Sequence, residues 1–434
     1  MPVTPARRAR PRTSTRSALV RLTAALAAVA AGTTGCTFSS AEAGSGDTVL
    51  TFWHYFQGAQ QEWLERQVAD FEADHPGVDI QLVETVGSQH VQRLLASTVT
   101  GTTPDLFINN IVVDYPTLTS AGVMLDLSPY WDDYADADQF PSSAVWRSGD
   151  AVYDLLPYNN LLGLYMNTDV AGRYGITEPP ATLPELAQDL AAVTDGGDGG
   201  LALSAAPSVE GAWLFAPELL GEGIGYCNFS GPQVVDSFTR LADWARDGYV
   251  PQAAATWDQN ASWQQFMTGR YAFALNGNWQ LGNVGSADFG YVTAQYPAPA
   301  DGSSTVYPGG EGFAIGATSE HPDLAWEFLQ DEVLSRDGLL SLYEAAGSIP
   351  LRADLADSPQ LADDPDVQPF VRATRSTAEW PDNTSTAEMQ TALGEAVSAT
   401  VSGQLGGRAA ARQAVADIGQ ARSEGDVVGG EACS

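Results

Sequence analysis

Between Thr48 and Ile108 the apolar residues switch repeatedly between strand and helix spacing, and this alternation constrains the fold more than any other stretch. Thr48 to Trp53 alternates and then runs apolar like a strand, and Gln61 to Asp74 follows with Leu64, Val68 and Phe71 at helical spacing. His75-Pro76-Gly77 stops that helix. Val78, Ile80 and Leu82 alternate as a second strand, Val91 to Val99 is a second amphipathic helix, and Pro104 to Ile108 reads as a buried third strand. Strands joined through helices need crossover connections, so this βαβαβ unit predicts a parallel sheet. Ligands of open parallel sheets bind beyond the carboxyl ends of the strands. That rule points to the loops around Tyr55 to Gly58 and Asn109 to Asp114.

The alternation continues through Ala151 to Tyr158 and Leu161 to Met166. Pro179-Pro180 then precedes a helix over Leu183 to Val193 that Pro184 is placed to begin. A Gly/Asp loop, Asp195 to Gly200, ends that segment. Val234 to Arg246 and Trp263 to Met267 read as helices, Tyr271 to Asn276 and Phe313 to Gly316 as strands, and Pro322 to Leu329 as a helix. Two α/β lobes, with the chain crossing several times between them, accommodate this order.

The first 35 residues stand apart. Arg7, Arg8, Arg10, Arg12, Arg16 and Arg21 form a basic opening, Ala18 to Ala31 is apolar but too short and alanine-rich to span a membrane, and Gly35-Cys36 follows. Thr34 and Gly35 suit a bacterial lipobox, although Thr33 stands where Leu or Val is usual. The reading is a lipoprotein signal peptide over residues 1–35, cleavage before Cys36, and a diacylated cysteine holding the protein at the outer face of the membrane, the plainer alternative being an ordinary signal peptide with an incidental cysteine. A Gly/Ser linker covers 36–47. The remaining 399 of the 434 residues suffice for two or three domains, and loss of six arginines takes the formal net charge from −34 to −40. The sequence contains no lysine. Such a surface excludes nucleic acid as a partner. At 17 % charged and 44 % apolar residues, the acidity coats a globular chain and does not signal disorder. With Cys36 lipidated, Cys227 and Cys433 remain, either as one disulfide or as two free thiols.

Several ordered stretches resemble the extracellular solute-binding proteins of ABC importers, in the carbohydrate-binding branch that includes maltose-binding protein. They begin with Leu50-Thr51-Phe52-Trp53-His54, Asp74-His75-Pro76-Gly77-Val78, Thr103-Pro104-Asp105-Leu106 and Ser120-Ala121-Gly122-Val123-Met124-Leu125-Asp126-Leu127. Leu164-Tyr165-Met166-Asn167-Thr168-Asp169-Val170 and Gly175-Ile176 with Pro179-Pro180-Ala181-Thr182 come next. The later half adds Phe266-Met267-Thr268-Gly269-Arg270-Tyr271-Ala272-Phe273, Gly277-Asn278-Trp279, Gly309-Gly310-Glu311-Gly312-Phe313-Ala314-Ile315, His321-Pro322-Asp323-Leu324-Ala325-Trp326-Glu327-Phe328 and Gly347-Ser348-Ile349-Pro350.

The resemblance implies an α/β, two-lobe periplasmic-binding-protein fold, each lobe a mainly parallel sheet flanked by helices, with a hinge between the lobes. Crossings would fall near Pro157 to Asn160, Tyr307 to Gly310 and Gly347 to Leu351. The N-terminal lobe is then 48–157 with 308–346, and the C-terminal lobe 158–307 with 347–434. Cys227 and Cys433 would share the second lobe. The implied partners are a mono- or oligosaccharide and the transmembrane subunits of an ABC permease, and the implied state is a monomer.

A sugar offers C–H faces that pack on aromatic rings and hydroxyls that donate and accept hydrogen bonds, so its site needs aromatics interleaved with amides and charged groups. Trp279 follows a strand and the turn Asn276-Gly277-Asn278, where the family places a stacking aromatic. Trp213 ends the polar-to-apolar run Pro207 to Trp213, where relatives often place another. Asn109 and Asn110 follow the third strand, and Tyr55 and Gln57 follow the first. Tyr158, Asn159 and Asn160 sit at the first crossing, and Glu311 in a Gly-rich turn. Arg352 completes the candidate set. Each has a plainer use: a core indole, a turn amide, a brace for the hinge.

No Gly-x-Ser-x-Gly elbow or Gly-x-x-x-x-Gly-Lys loop is present, and the absence of lysine removes any lysine nucleophile. His54, His75, His90 and His321 are scattered without metal-ligand spacing. The sequence therefore predicts a binder without metal, cofactor or catalysis. Alternatives left open are a peptide, polyamine or glycerol phosphate as solute, and a secreted hydrolase using two carboxylates.

Overall fold

The computed structural model describes residues 48–300, 302–356, 358–381 and 383–426. The leader, the lipidation candidate Cys36 and the disulfide candidate Cys433 lie outside them. Along the chain the strands are β1 (Thr48–His54), β2 (Val78–Glu84), β3 (Leu106–Asn110), β4 (Val145–Ser148), β5 (Ala151–Leu155) and β6 (Tyr158–Asn159). They continue with β7 (Leu162–Asn167), β8 (Gly199–Ala202), β9 (Tyr271–Gly277), β10 (Tyr291–Gln295), β11 (Glu311–Ile315) and β12 (Ile349–Pro350).

The predicted βαβαβ unit is present. β1 pairs in parallel with β2 and with β3, and the crossovers are α1 (Ala59–Asp74) and α2 (Gly87–Thr100). The helix α3 (Ile111–Ser120) leaves β3 directly. Sheet order in this lobe is β2-β1-β3-β11-β5-β4, and in the other lobe β10-β7-β9-β8. Both sheets are mixed. β11 runs antiparallel to β3 and β5, and β7 antiparallel to β9 and β10, so the strands that enter after a crossing run against their neighbours, while β8 and β9 are parallel.

Phe52, Trp63, Phe71, Phe313 and Phe328 fill one face of the first sheet, and Phe107, Ile111, Leu118 and Ala314 the other. Tyr165, Phe238, Phe266, Phe273 and Phe370 belong to the second lobe's core. The Leu183–Asp195 helix starts on a capping box between Thr182 and Glu185, with Pro184 in its first turn. Part of the loop expected over 195–200 is strand instead, because Leu201 and Ala202 are buried where β8 pairs with β9. The helices Thr386–Val401 and Gly407–Glu424, without an expectation from sequence, pack against each other and against Pro232–Arg246. Among the described residues, no helix is long and apolar enough to cross a membrane.

Three chain segments meet between the lobes. β6 pairs with β12, Asn160 exchanges backbone hydrogen bonds with Gly309, and Leu351 N–H bonds to the Pro157 carbonyl. Asn278 fastens them from the second lobe: its Oδ1 accepts from Leu161 N–H at 2.6 Å and its Nδ2 donates to the Gly347 carbonyl at 2.7 Å. Gly347 takes φ 75° and lies so close to Asn278 and Leu281 that a side chain would not fit. The segment expected to join the second lobe from 347 onward first returns to the first lobe, where Leu351 and Leu355 pack on its core.

Asn278 is fully buried, and an orphaned buried polar group costs about 1–3 kcal/mol. Asn278→Ala strands two backbone partners and is expected to lower the unfolding free energy by about 2 kcal/mol or more. Urea titration measures this; an unchanged midpoint would show that the fastening carries no stability.

Candidate functional site

The carboxyl ends of β1 and β3 open onto a polar floor. β3 ends in Asn109 and Asn110, which pair with Gly312 and Glu311 of β11. Asn109 Nδ2 donates to Asp154 Oδ2 at 2.7 Å, and Asp154 Oδ1 accepts from Leu155 N–H. That bond passes over Gly312, where a Cβ would collide with the Asp154 carboxyl. Asp114, in the first turn of α3, accepts the Asn110 N–H at 3.0 Å. Glu311 Oε2 accepts from the Tyr158 hydroxyl at 2.7 Å and from Asn160 Nδ2 at 3.2 Å. The half-buried Tyr55 phenol feels the charges of Glu311, Asp114 and Asp154 together, and its ring meets His90 edge-on.

Desolvation dominates the electrostatics here. It pushes the carboxyls of Asp114 up to about 7, Asp154 up to about 8 and Glu311 up to about 7, against the hydrogen bonds they accept. The Tyr55 and Tyr158 phenols are raised well above their ordinary value, first by burial and then by these acids. Burial holds His54 below its usual value and His90 down at about 4. The His90 ring lies between Thr85 Oγ1 and the Ile108 carbonyl.

The aromatic part comes from the second lobe. Trp213, in the Val209–Leu220 helix, stacks on Trp279 with centroids 5.3 Å apart and planes at 15°. Trp279 follows β9, and its segment is seated on the first lobe: a side chain at Gly282 would clash with the Ala345 carbonyl and touch Ala59. The Trp213 ring packs against Gly309 at the second crossing. Both indoles are half-buried. The lobes also touch where Asn260 Nδ2 donates to Gln57 Oε1 at 3.1 Å, and where Gly58 approaches Asn283.

The structure thus brings Tyr55, Asn109, Asn110, Tyr158, Asn160 and Glu311 to one floor, with Asn159 half-buried on β6. Gln57 is exposed at the lobe contact. Trp213 and Trp279 form one two-layer plate. Asn276 is fully buried, its Nδ2 on the Gln259 carbonyl and its Oδ1 on Gly277 N–H, and Asn278 is committed to the hinge. Arg352 is placed elsewhere. It is 3 % exposed in the first lobe, paired with Asp136 and Asp354, bonded to the Leu334 carbonyl and lying over the Phe140 ring. Its donors are spent on bracing the chain after the third crossing. Sequence reasoning missed Asp114 and Asp154. Asp114 lies inside the loop range already singled out, whereas Asp154 has no local signal, since its role depends on reaching across β11. Cys227 is disulfide-bonded; with Cys433 outside the described residues, the pairing of the two stays an expectation.

Carboxyls raised on folding bind protons more tightly in the native state than in the unfolded one, so their ionisation disfavours the fold. Above about pH 7 His54 and His90, lowered on folding, are neutral in both states and do not offset the three acids, while His75 and the desolvated Glu210 and Glu218, raised on folding, act in the same sense. Thermal midpoints are therefore expected to fall from pH 7 to pH 8.5, with a shallower fall in Asp154→Asn. A rise over that interval would contradict the assignment.

Comparison with known proteins accords with this geometry. Residues 66–369 match the family described as bacterial extracellular solute-binding protein. The maltotriose-binding protein of Pyrococcus abyssi is 23 % identical over 358 residues, covering 77 % of this chain and 73 % of that one. Among solved structures, a solute-binding protein of Thermotoga lettingae with bound alpha-D-tagatose aligns with a TM-score of 0.77 at 19 % identity, over 86 % of this chain and 100 % of that one. The maltose/maltodextrin-binding domain of Bdellovibrio bacteriovorus bound to maltotriose aligns at 0.75 and 19 %, over 86 % and 99 %. The two-lobe fold with three crossings and the match across most of its length lead to one conclusion: the chain belongs to the bacterial extracellular solute-binding proteins.

Proposed function

We propose that this protein is the substrate-binding component of an ABC importer, exported and lipid-anchored through Cys36, which captures a sugar or oligosaccharide by lobe closure and hands it to the permease. The observation that carries the reading is the half-buried Trp213–Trp279 stack beside a floor of amides and carboxyls, because a saccharide needs both a flat apolar plate and convergent polar groups. The relatives named for maltotriose favour the same class. Trp279, Trp213, Tyr55, Gln57, Asn110, Asn159, Asp114 and Glu311 are the groups assigned to the solute. Asn109, Asp154, Tyr158, Asn160, Asn276 and Asn278 hold the floor and hinge in place. The Cys227–Cys433 disulfide belongs to the same reading.

Contacts made from both lobes exist only when the lobes are together, so the ligand shifts the open–closed balance by the free energy of those contacts. A thermal-shift panel of mono- and oligosaccharides is expected to give one clear stabiliser, since a ligand at 100 times its Kd adds about 2.7 kcal/mol. That sugar should be recovered intact after incubation, and should reduce the radius of gyration in solution scattering. Trp279→Ala is expected to weaken its binding roughly tenfold, the scale of a lost aromatic contact. Cleavage of the sugar, or identical scattering with and without it, would refute the receptor reading.

A further inference from the structure

The floor is rich in acceptors, and the donors left on it, the Tyr55 hydroxyl and the Asn110 side-chain amide, are uncharged. Several of its donors are already engaged: Asn109 Nδ2 on Asp154, Tyr158 hydroxyl and Asn160 Nδ2 on Glu311, Asn110 N–H on Asp114. Acceptors are left over. Asn109 is 0 % exposed, and its amide oxygen, on the same group that reaches Asp154, has no partner. The bonds above occupy Oδ2 of Asp114 and Oε2 of Glu311, whose carboxyl also meets its own backbone N–H, and leave the second oxygen of Asp114 to the solute. The unpartnered Trp213 indole N–H belongs to the aromatic plate and not to this floor.

Charge is equally one-sided. The groups acting on Tyr55, Tyr158, Asp114, Asp154 and Glu311 are one another and neighbouring amides and backbone, with no arginine among them, and the sequence has no lysine. Desolvated carboxyls without a countercharge are costly, and hydroxyls supply donors but no charge. A metal ion does not answer the need, because among the described residues no three acidic, histidine or cysteine side chains come together to hold one.

We propose that the solute is an amine-bearing saccharide, whose protonated amino group binds at the Asp114–Glu311 floor while a sugar ring lies on the Trp213–Trp279 plate. The inference rests on the saccharide-receptor reading and narrows its substrate. The ammonium restores the carboxylates to their charged form, so binding releases protons to buffer.

Calorimetry on the chain from Cys36 onward at pH 7.5 tests it, with the amine-bearing pseudotrisaccharides kanamycin A and tobramycin, the neutral trisaccharides maltotriose and raffinose, and spermidine. The expected result is binding of an amine-bearing sugar about tenfold or more tighter than any neutral one, the scale of a charge-assisted hydrogen bond. Affinity should rise from pH 6 to pH 8, the measured heat should change with the ionisation heat of the buffer, and the preference should collapse in both Glu311→Gln and Asp114→Asn. Equal or tighter binding of a neutral trisaccharide, or a preference that survives both substitutions, overturns the inference and leaves the receptor reading standing. Amine binding undiminished in Trp279→Ala, or tightest for spermidine, overturns it as surface or polyamine association. Silence from every saccharide overturns the receptor reading itself.

Discussion

The structure depends on three chain segments lying side by side between the lobes and satisfying one another's backbone. β6 and β12 pair, Asn160 and Gly309 exchange hydrogen bonds, and Asn278 ties Leu161 to Gly347. Buried backbone groups must be paired, so these segments cannot separate individually. They can only bend together. Glu311, Asn160 and Ser348 extend the same ladder through side chains, so the crevice floor and the hinge share one hydrogen-bond network.

That shared network explains why so many polar residues sit at low exposure beside the crevice. Asp154 and Asn109 are fully buried, yet they hold β3, β11 and β5 in register at the end where a solute would arrive. Burial makes the floor's carboxyls hard to ionise, which is a cost to the unliganded fold and a source of attraction for any ligand that brings donors or positive charge. The stacked indoles contribute the opposite quality, a flat apolar surface braced from behind by the second crossing.

Much of the fold was legible from local pattern. The βαβαβ unit, the Pro184 helix start and β9 follow from spacing and from helix-start chemistry, both of which act within a few residues. The two C-terminal helices were harder to see. The buried face of Gly407–Glu424 is mostly alanine, as at Ala410, Ala411 and Ala414, and that of Thr386–Val401 mixes Thr386, Gln390 and Thr400 with Met389, Leu393 and Val397, so both give weak amphipathic contrast. β10 was missed for a related reason: its residues are all half-buried, so it shows no alternation. At the site, Asn109, Asn110 and Tyr55 were legible because strand ends mark the crevice whatever the ligand. Asn276 was legible as a polar residue near it but not as a brace, and Arg352, expected there, is buried in the first lobe instead.

The sequence by itself determined the fold class, the order of the strands and helices of the first βαβαβ unit, the strand ends that face the crevice, and an acidic surface free of lysine, because these depend on residue type and short-range spacing. Only tertiary structure decided that Asp154 reaches over Gly312 to Asn109, that Trp213 and Trp279 form one plate, and that Arg352 braces the first lobe. Those pairings join residues far apart in the chain, and their chemistry comes from burial, which is a property of the packed molecule and not of any local stretch.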